Sequence, residues 1–147
     1  MRILFICTGN VSRSPVAECI LRTMAEQAGR NDITVASAGV RVMPNQPYDP
    51  QMVATAARHG YVLEGCSKPM TDEMIRQADL ILVMDFYQYV EVQKYLPYSQ
   101  WHKLKLLNQY CHDEDTGIED PYYYDDMYEL VFSKIEACCY IILQNEN

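Results

Sequence analysis

No CxxC pair and no cysteine–histidine cluster with zinc spacing occurs in this chain, although it carries 6 cysteines: Cys7, Cys19, Cys66, Cys111, Cys138 and Cys139. That absence argues against a structural metal and against a thioredoxin-type redox centre. The chain also lacks any apolar run approaching a bilayer span, and the stretch Ile3 to Cys7 is too brief for a signal-peptide core. These gaps predict a cytoplasmic protein without membrane insertion, in which most cysteines are free thiols. Positive charge is scarce: 12 Lys and Arg face 20 Asp and Glu, a formal net charge of −8. An acidic surface excludes nucleic acid as a natural partner, so any anionic substrate must be captured by a local site. Repeats, low-complexity tracts and linkers are missing as well. A length of 147 residues, 49% of them hydrophobic, predicts a single domain over residues 1–147.

What is present alternates. Arg2 to Cys7 is a continuous apolar run of the kind that a parallel sheet covered on both faces requires. The polar loop Thr8 to Ser14 runs into Pro15, which suits a first helical position, and apolar spacing continues through Met24 and Ala28 to a stop at Gly29. Ile33 to Ser37 reads as a second strand and Asp49-Pro50 as the start of a helix ending near His59-Gly60, with an irregular loop, Val40 to Tyr48, between them. Thr71-Asp72-Glu73 caps a short helix, and Leu80 to Met84 is the clearest buried strand. Phe86 to Leu96 returns as helix, Leu104 to Leu107 is a weaker fourth strand, and Met127, Leu130, Val131, Ile135, Cys138, Ile141 and Ile142 mark a terminal amphipathic helix. The pattern predicts an α/β fold: a four-stranded parallel sheet flanked by helices on both faces, with a phosphate-binding loop between strand 1 and helix 1.

That loop carries the chemistry. Cys7 ends the first strand and Arg13 closes the loop, so the backbone N–H groups of Thr8, Gly9, Asn10, Val11, Ser12 and Ser14 can curl around one anion. Gly9 is expected to take backbone angles that other residues resist, Asn10 tolerates a left-handed conformation, and the following helix aims its positive end at the same point. Each inward donor favours thiolate over thiol, and Ser14 adds a hydroxyl, which makes Cys7 a nucleophile at neutral pH. The planar fork of Arg13 can hold two phosphoryl oxygens and stabilise charge during transfer. A proton donor for the leaving group must come from elsewhere, and composition leaves several acids open between Asp113 and Asp126.

The run Cys7-Thr8-Gly9-Asn10-Val11-Ser12-Arg13-Ser14-Pro15-Val16-Ala17-Glu18 resembles the signature loop of low-molecular-weight tyrosine phosphatases. Ser37-Ala38-Gly39, Leu80 to Asp85 and Ile118-Glu119-Asp120-Pro121-Tyr122-Tyr123 resemble further motifs of that family, in the same order. The resemblance implies hydrolysis of phosphotyrosine through a phosphocysteine, with Asp120 as general acid on a loop stiffened by Pro121. It further implies that Asn10, Ser14, Ser37 and Asp85 support the cradle, and that Met43, Pro44, Tyr122 and Tyr123 form the substrate rim. Neither metal nor cofactor is implied. The short aliphatic rim loop looks like the bacterial capsule and exopolysaccharide branch rather than the animal one. The partner implied is then a phosphotyrosine protein, by analogy a bacterial tyrosine kinase.

Two departures matter. Many relatives carry a second cysteine where this chain has Ser12, so oxidised Cys7 lacks a neighbouring thiol to trap it. Many also bring a histidine to the supporting network where this chain reads Glu64-Gly65-Cys66-Ser67, which predicts a smaller network. His59, His102 and His112 read as surface or cap residues. Arsenate reduction on the same fold would need relay cysteines, and Ser12 and the cysteine-free stretch Met84 to Tyr110 argue against it. A non-catalytic phosphotyrosine-binding module would need neither the thiolate nor the acid.

Overall fold

The computed structural model describes residues 1–111 and 117–146. Four strands, β1 (Arg2–Cys7), β2 (Thr34–Gly39), β3 (Leu80–Val83) and β4 (Leu104–Leu106), form one sheet in the order β2-β1-β3-β4. All pairings are parallel, with Cys7 opposite Gly39, Ile3 opposite Leu80 and Ile81 opposite Leu104. The second strand begins one residue later and runs two residues further than its apolar pattern suggests. Ala38 and Gly39 pair because the register with Ile6 and Cys7 carries them on.

Side chains of β1 alternate between two cores, as the period of a strand demands. Ile3, Phe5 and Cys7 pack with Val16, Ile20 and Leu21 of α1 (Arg13–Gln27) and with Phe132, Ile135 and Ile142 of α5 (Tyr128–Asn145). Leu4 and Ile6 face Ile75, Val92, Leu96 and Leu106 on the other side, where α3 (Asp72–Gln77) and α4 (Phe86–Gln93) lie. The expected sheet with helices on both faces is therefore present. The chain leaves β1 toward β2 on one side and β3 toward β4 on the other, so a crevice opens between the carboxyl ends of β1 and β3.

Local chemistry sets most boundaries. Asp49 accepts from Gln51 N–H at 3.0 Å with Pro50 opening α2 (Pro50–Arg58), and Thr71 accepts from Met74 N–H at 3.1 Å at the start of α3. Ala28 caps α1, and Gly29 follows at φ 70°, the left-handed residue that closes a helix. Two expectations shift. Helix α1 starts at Arg13, so Pro15 sits in the third helical position, where its missing N–H still costs no intrahelical bond. Helix α4 stops at Gln93 rather than Leu96. Most cysteines are free, as expected, but Cys111, at the end of a 3-10 turn (Leu107–Cys111), is joined to Cys138 of α5 by a disulfide with Cα atoms 5.2 Å apart. The two lie 27 positions apart and meet only because α5 packs across that turn, which no spacing rule could reveal. Cys7, Cys19, Cys66 and Cys139 are free.

Candidate active site

At the crevice the chain turns tightly from β1 into α1, and the turn is held by its interior. Asn10 is buried with φ 53°, and in that conformation its N–H points at Cys7 Sγ, 3.2 Å away. Ser14 Oγ lies 2.9 Å from the same sulfur. The Asn10 side chain is fully used: its amide nitrogen donates to Ser14 Oγ at 2.8 Å and to Ser37 Oγ at 3.0 Å, and its oxygen accepts from Lys68 N–H at 2.8 Å. Lys68, the residue after the Glu64-Gly65-Cys66-Ser67 stretch that lacks a histidine, thus joins the network through its main chain. Gly9 does not take left-handed angles, and a Cβ there would meet only Val11 Cγ2 at 3.9 Å. The close approach falls on Gly39, where a Cβ would stand 2.7 Å from the Thr8 carbonyl oxygen.

Helix α1 begins without a side-chain cap bond at Ser12 and without an acidic residue in its first turn, although Ser12 Oγ is buried and unpartnered. Such a start leaves its N–H groups and positive end to an anion.

Arg13 is 4% exposed, and its guanidinium is aimed from behind. Nη1 donates to Asp85 Oδ2 at 3.2 Å and to the Ile118 carbonyl at 2.9 Å, while Nη2 lies 3.6 Å from Asp120 Oδ2. Asp85 is at the same time the N-cap of α4, accepting at Oδ1 from Tyr87 and Gln88 N–H groups. Gln88, buried, accepts from Met84 and Asp85 N–H groups and donates from Nε2 to Thr8 Oγ1 at 2.9 Å. The end of β3 is thereby pinned to the loop after β1.

The segment carrying Asp120 docks on that same strand end. Ile118 N–H donates to the Met84 carbonyl at 2.7 Å, and Gly117 bridges Asp85. A Cβ at Gly117 would collide with the Met84 carbonyl and Asp85. Lys134 of α5 holds Glu119 at 2.7 Å. Asp120 caps the short turn Pro121–Tyr123 by accepting from Tyr122 N–H at 3.1 Å, and keeps 42% of its side chain exposed.

A cleft of about 160 Å³ results, lined by Cys7, Thr8, Gly9, Val11, Ser12, Arg13, Asp120 and Tyr122. Met43 and Pro44 are exposed but are not among its lining residues. Their loop is tied away toward Ser67, whose hydroxyl donates to the Met43 carbonyl at 2.6 Å. The Tyr123 side chain and His112 lie outside the described residues. His59 caps α2, stacks on Phe132 and bonds Glu129 at 2.7 Å, and His102 sits in an exposed 3-10 turn, so neither approaches the cleft. A larger groove of about 310 Å³ lies at the amino ends of β1 and β2, where Arg2 is bonded to Gln77, away from Cys7. Among the described residues no group of three His, Cys, Asp or Glu side chains could hold a metal ion, and no helix is long and apolar enough to cross a membrane.

Gln88, the Ile118 carbonyl, the Lys68 N–H and Gly117 were not found by sequence reasoning. Only Gln88 left a signal, the Asp85-x-x-Gln88 spacing of a capping box. Main-chain contributors leave none.

Comparison with known proteins agrees with this geometry. A protein-arginine-phosphatase of Bacillus subtilis is 42% identical over 84 residues, a match spanning 57% of this chain and 55% of that protein's length. The low molecular weight protein-tyrosine-phosphatase Etp of Escherichia coli is 36% identical over 136 residues, covering 91% of this chain and 86% of its own. Among solved structures, the YwlE arginine phosphatase with its active-site cysteine changed to a phosphorylated serine superposes with a TM-score of 0.89 at 28% identity, covering 100% of this chain and 98% of that one. The family model described as low molecular weight phosphotyrosine protein phosphatase matches residues 2–146. This chain belongs to the low molecular weight phosphotyrosine protein phosphatase family.

Proposed function

We propose that the domain formed by residues 1–147 is a cytoplasmic protein tyrosine phosphatase that works through a phosphocysteine. The observation that carries this reading is the cleft that gathers Cys7, Arg13 and Asp120 around one small space. In the first step the Cys7 thiolate attacks phosphorus in line, and the bond to the phenolic oxygen breaks as Asp120 delivers a proton to it. Arg13 holds two equatorial oxygens, and the N–H groups of Thr8 to Ser14 hold the charge that grows on them. In the second step Asp120, now ionised, takes a proton from water as that water attacks the phosphocysteine, returning the thiolate and releasing phosphate. Asp85 and Ser37 keep the clamp and the cradle in place, and Tyr122 offers an aromatic wall to the substrate ring. A bacterial tyrosine kinase of the exopolysaccharide machinery is the partner we propose.

A second substrate class is favoured by the relative named as a protein-arginine-phosphatase. The same thiolate can break a phosphorus–nitrogen bond, and the exposed carboxylates Asp125 and Asp126 beyond Tyr122 suit a guanidinium. One assay series separates these readings: purified protein on p-nitrophenyl phosphate and on phosphotyrosine, phosphoserine and phosphoarginine peptides, with Cys7→Ser and Asp120→Asn alongside. Turnover of phosphotyrosine that Cys7→Ser abolishes and Asp120→Asn slows about a hundredfold or more supports the first reading. Preference for phosphoarginine supports the second, and turnover indifferent to Cys7→Ser removes both.

A further inference from the structure

The supporting network does not end at Ser37. Its hydroxyl donates to Glu18 Oε1 at 2.6 Å, and the other oxygen of Glu18 is bonded by the guanidinium of Arg22. Glu18 lies on α1 one turn after Ser14, with 14% of its side chain exposed. A continuous line of contacts therefore runs from Glu18 through Ser37, Asn10 and Ser14 to the Cys7 sulfur.

The direction of the hydrogens from Glu18 as far as Ser14 is forced. An ionised carboxylate only accepts, so the Ser37 proton points at Glu18 and leaves a Ser37 lone pair toward Asn10. The Asn10 amide cannot be flipped, because its oxygen is occupied by the Lys68 N–H. Its two N–H bonds go to Ser37 and Ser14. Ser14 thus receives a hydrogen from Asn10 and keeps its own to give, with Cys7 Sγ at 2.9 Å the nearer acceptor and the Ala38 carbonyl at 3.4 Å the farther one. The same three bonds hold Asn10 in its left-handed conformation, which aims the Asn10 N–H at the sulfur.

We propose that Glu18 is a positioning residue for the nucleophile, orienting Ser37 so that Asn10 and Ser14 both present hydrogens to the Cys7 thiolate. The inference rests on Cys7 being the nucleophile, as proposed above. A through-network role and a plain charge effect have opposite signs. Loss of a negative charge near Cys7 would by itself favour the thiolate, whereas loss of the acceptor that orients Ser37 disfavours it. The other charged groups bearing on Cys7 are Arg13 and Asp120 in the cleft, Asp85 through Arg13, and Arg22 through Glu18; all are kept in the comparison.

The test follows alkylation of Cys7 by iodoacetamide against pH, with turnover of p-nitrophenyl phosphate in parallel, for wild type, Glu18→Met, Glu18→Gln, Ser37→Ala and Glu18→Met/Ser37→Ala. Glu26→Gln, an exposed position further along α1, controls for general loss of charge. In Glu18→Met the pH of half-alkylation should rise by about half to one unit, the worth of one hydrogen bond. Glu18→Gln, which keeps a carbonyl acceptor, should stay near wild type, and the double variant should match Ser37→Ala because both remove one link. A fall in the half-alkylation pH, no shift, or additive effects in the double variant would overturn the proposal. If Glu18→Met does not fold, Glu18→Ala takes its place with the same expected rise, and a fall or no shift there overturns the proposal equally. Failure of the nucleophile reading looks different: alkylation of wild-type Cys7 would leave turnover intact.

Discussion

Arg13 Nη1 donates to the carbonyl oxygen of Ile118 at 2.9 Å, so the buried guanidinium and the segment bearing Asp120 are bonded into one unit. One residue before Ile118, the same unit is locked by Gly117, whose φ of 155° and contact with Asp85 admit no side chain. Gly117→Ala should lift the acid segment off β3 and lower kcat about tenfold or more, with KM for a small aryl phosphate changed less. Steady-state kinetics with a thermal melt as folding control check this; an unchanged kcat would show that the docking does not position Asp120.

Gly39→Ala acts on the cradle itself. Its Cβ would stand 2.7 Å from the Thr8 carbonyl oxygen and 3.1 Å from Asn10 N, both backbone atoms that cannot swing aside. We expect a loss of about 2 kcal/mol of stability together with loss of phosphate binding, read by urea unfolding and by calorimetric titration of inorganic phosphate. Gly9→Ala, by contrast, should be tolerated, since only Val11 Cγ2 at 3.9 Å lies near.

The Cys111–Cys138 bridge spans 27 positions of sequence. Closing a loop of that size restrains the unfolded chain by about 3 kcal/mol, so reduction by dithiothreitol should lower the Tm by about 10 °C. Cys138→Ser should melt at the reduced value and no longer respond to the reductant. Equal melting of both proteins in oxidised form would show that the bridge contributes nothing.

Three tyrosine hydroxyls, Tyr61 beside Glu136, Tyr110 beside Glu146 and Tyr128 beside Asp49, are pushed above the usual tyrosine range, chiefly by burial and then by the hydrogen bond to the carboxylate. In the unfolded chain they would ionise near pH 10. Between that pH and the folded values the native state holds protons that the unfolded state has lost. Stability from these groups is therefore complete below about pH 10 and drains away as pH rises further. Urea midpoints measured from pH 8 to 11 should begin to fall at about pH 8.5, where the unfolded chain ionises the thiols of Cys19 and Cys139 that burial pushes up in the fold, and fall more steeply above about pH 10. Tyr61→Phe should flatten part of the later slope.

Much of this was legible from residue order because it is written in side chains. Cys7, Arg13 and Ser14 sit at the end of an apolar strand and the start of a helix, and Asp49-Pro50 and Thr71 announce their helices by cap chemistry alone. What escaped is carried by the main chain or by distant pairing. The Lys68 N–H and the Ile118 carbonyl would serve whatever their side chains were, and the Gly39 and Gly117 constraints exist only once the neighbouring strand ends are in place. Pro15 misled by two residues because α1 begins on Arg13 itself, inside the loop. Glu18 stood in view one turn after Ser14, but a glutamate on a helix is ordinarily a solvated one, and only the Ser37 contact singles it out.

Helix α1 starts at Arg13 with no side chain closing its first turn. On the mechanism proposed above, inorganic phosphate would sit at that opening as a cap does, and any ligand that binds only the native state raises the melting point with the logarithm of its concentration. The choice of buffer then becomes a thermodynamic variable, and phosphate in the surrounding medium acts at once as a brake on turnover and as a guardian of the fold.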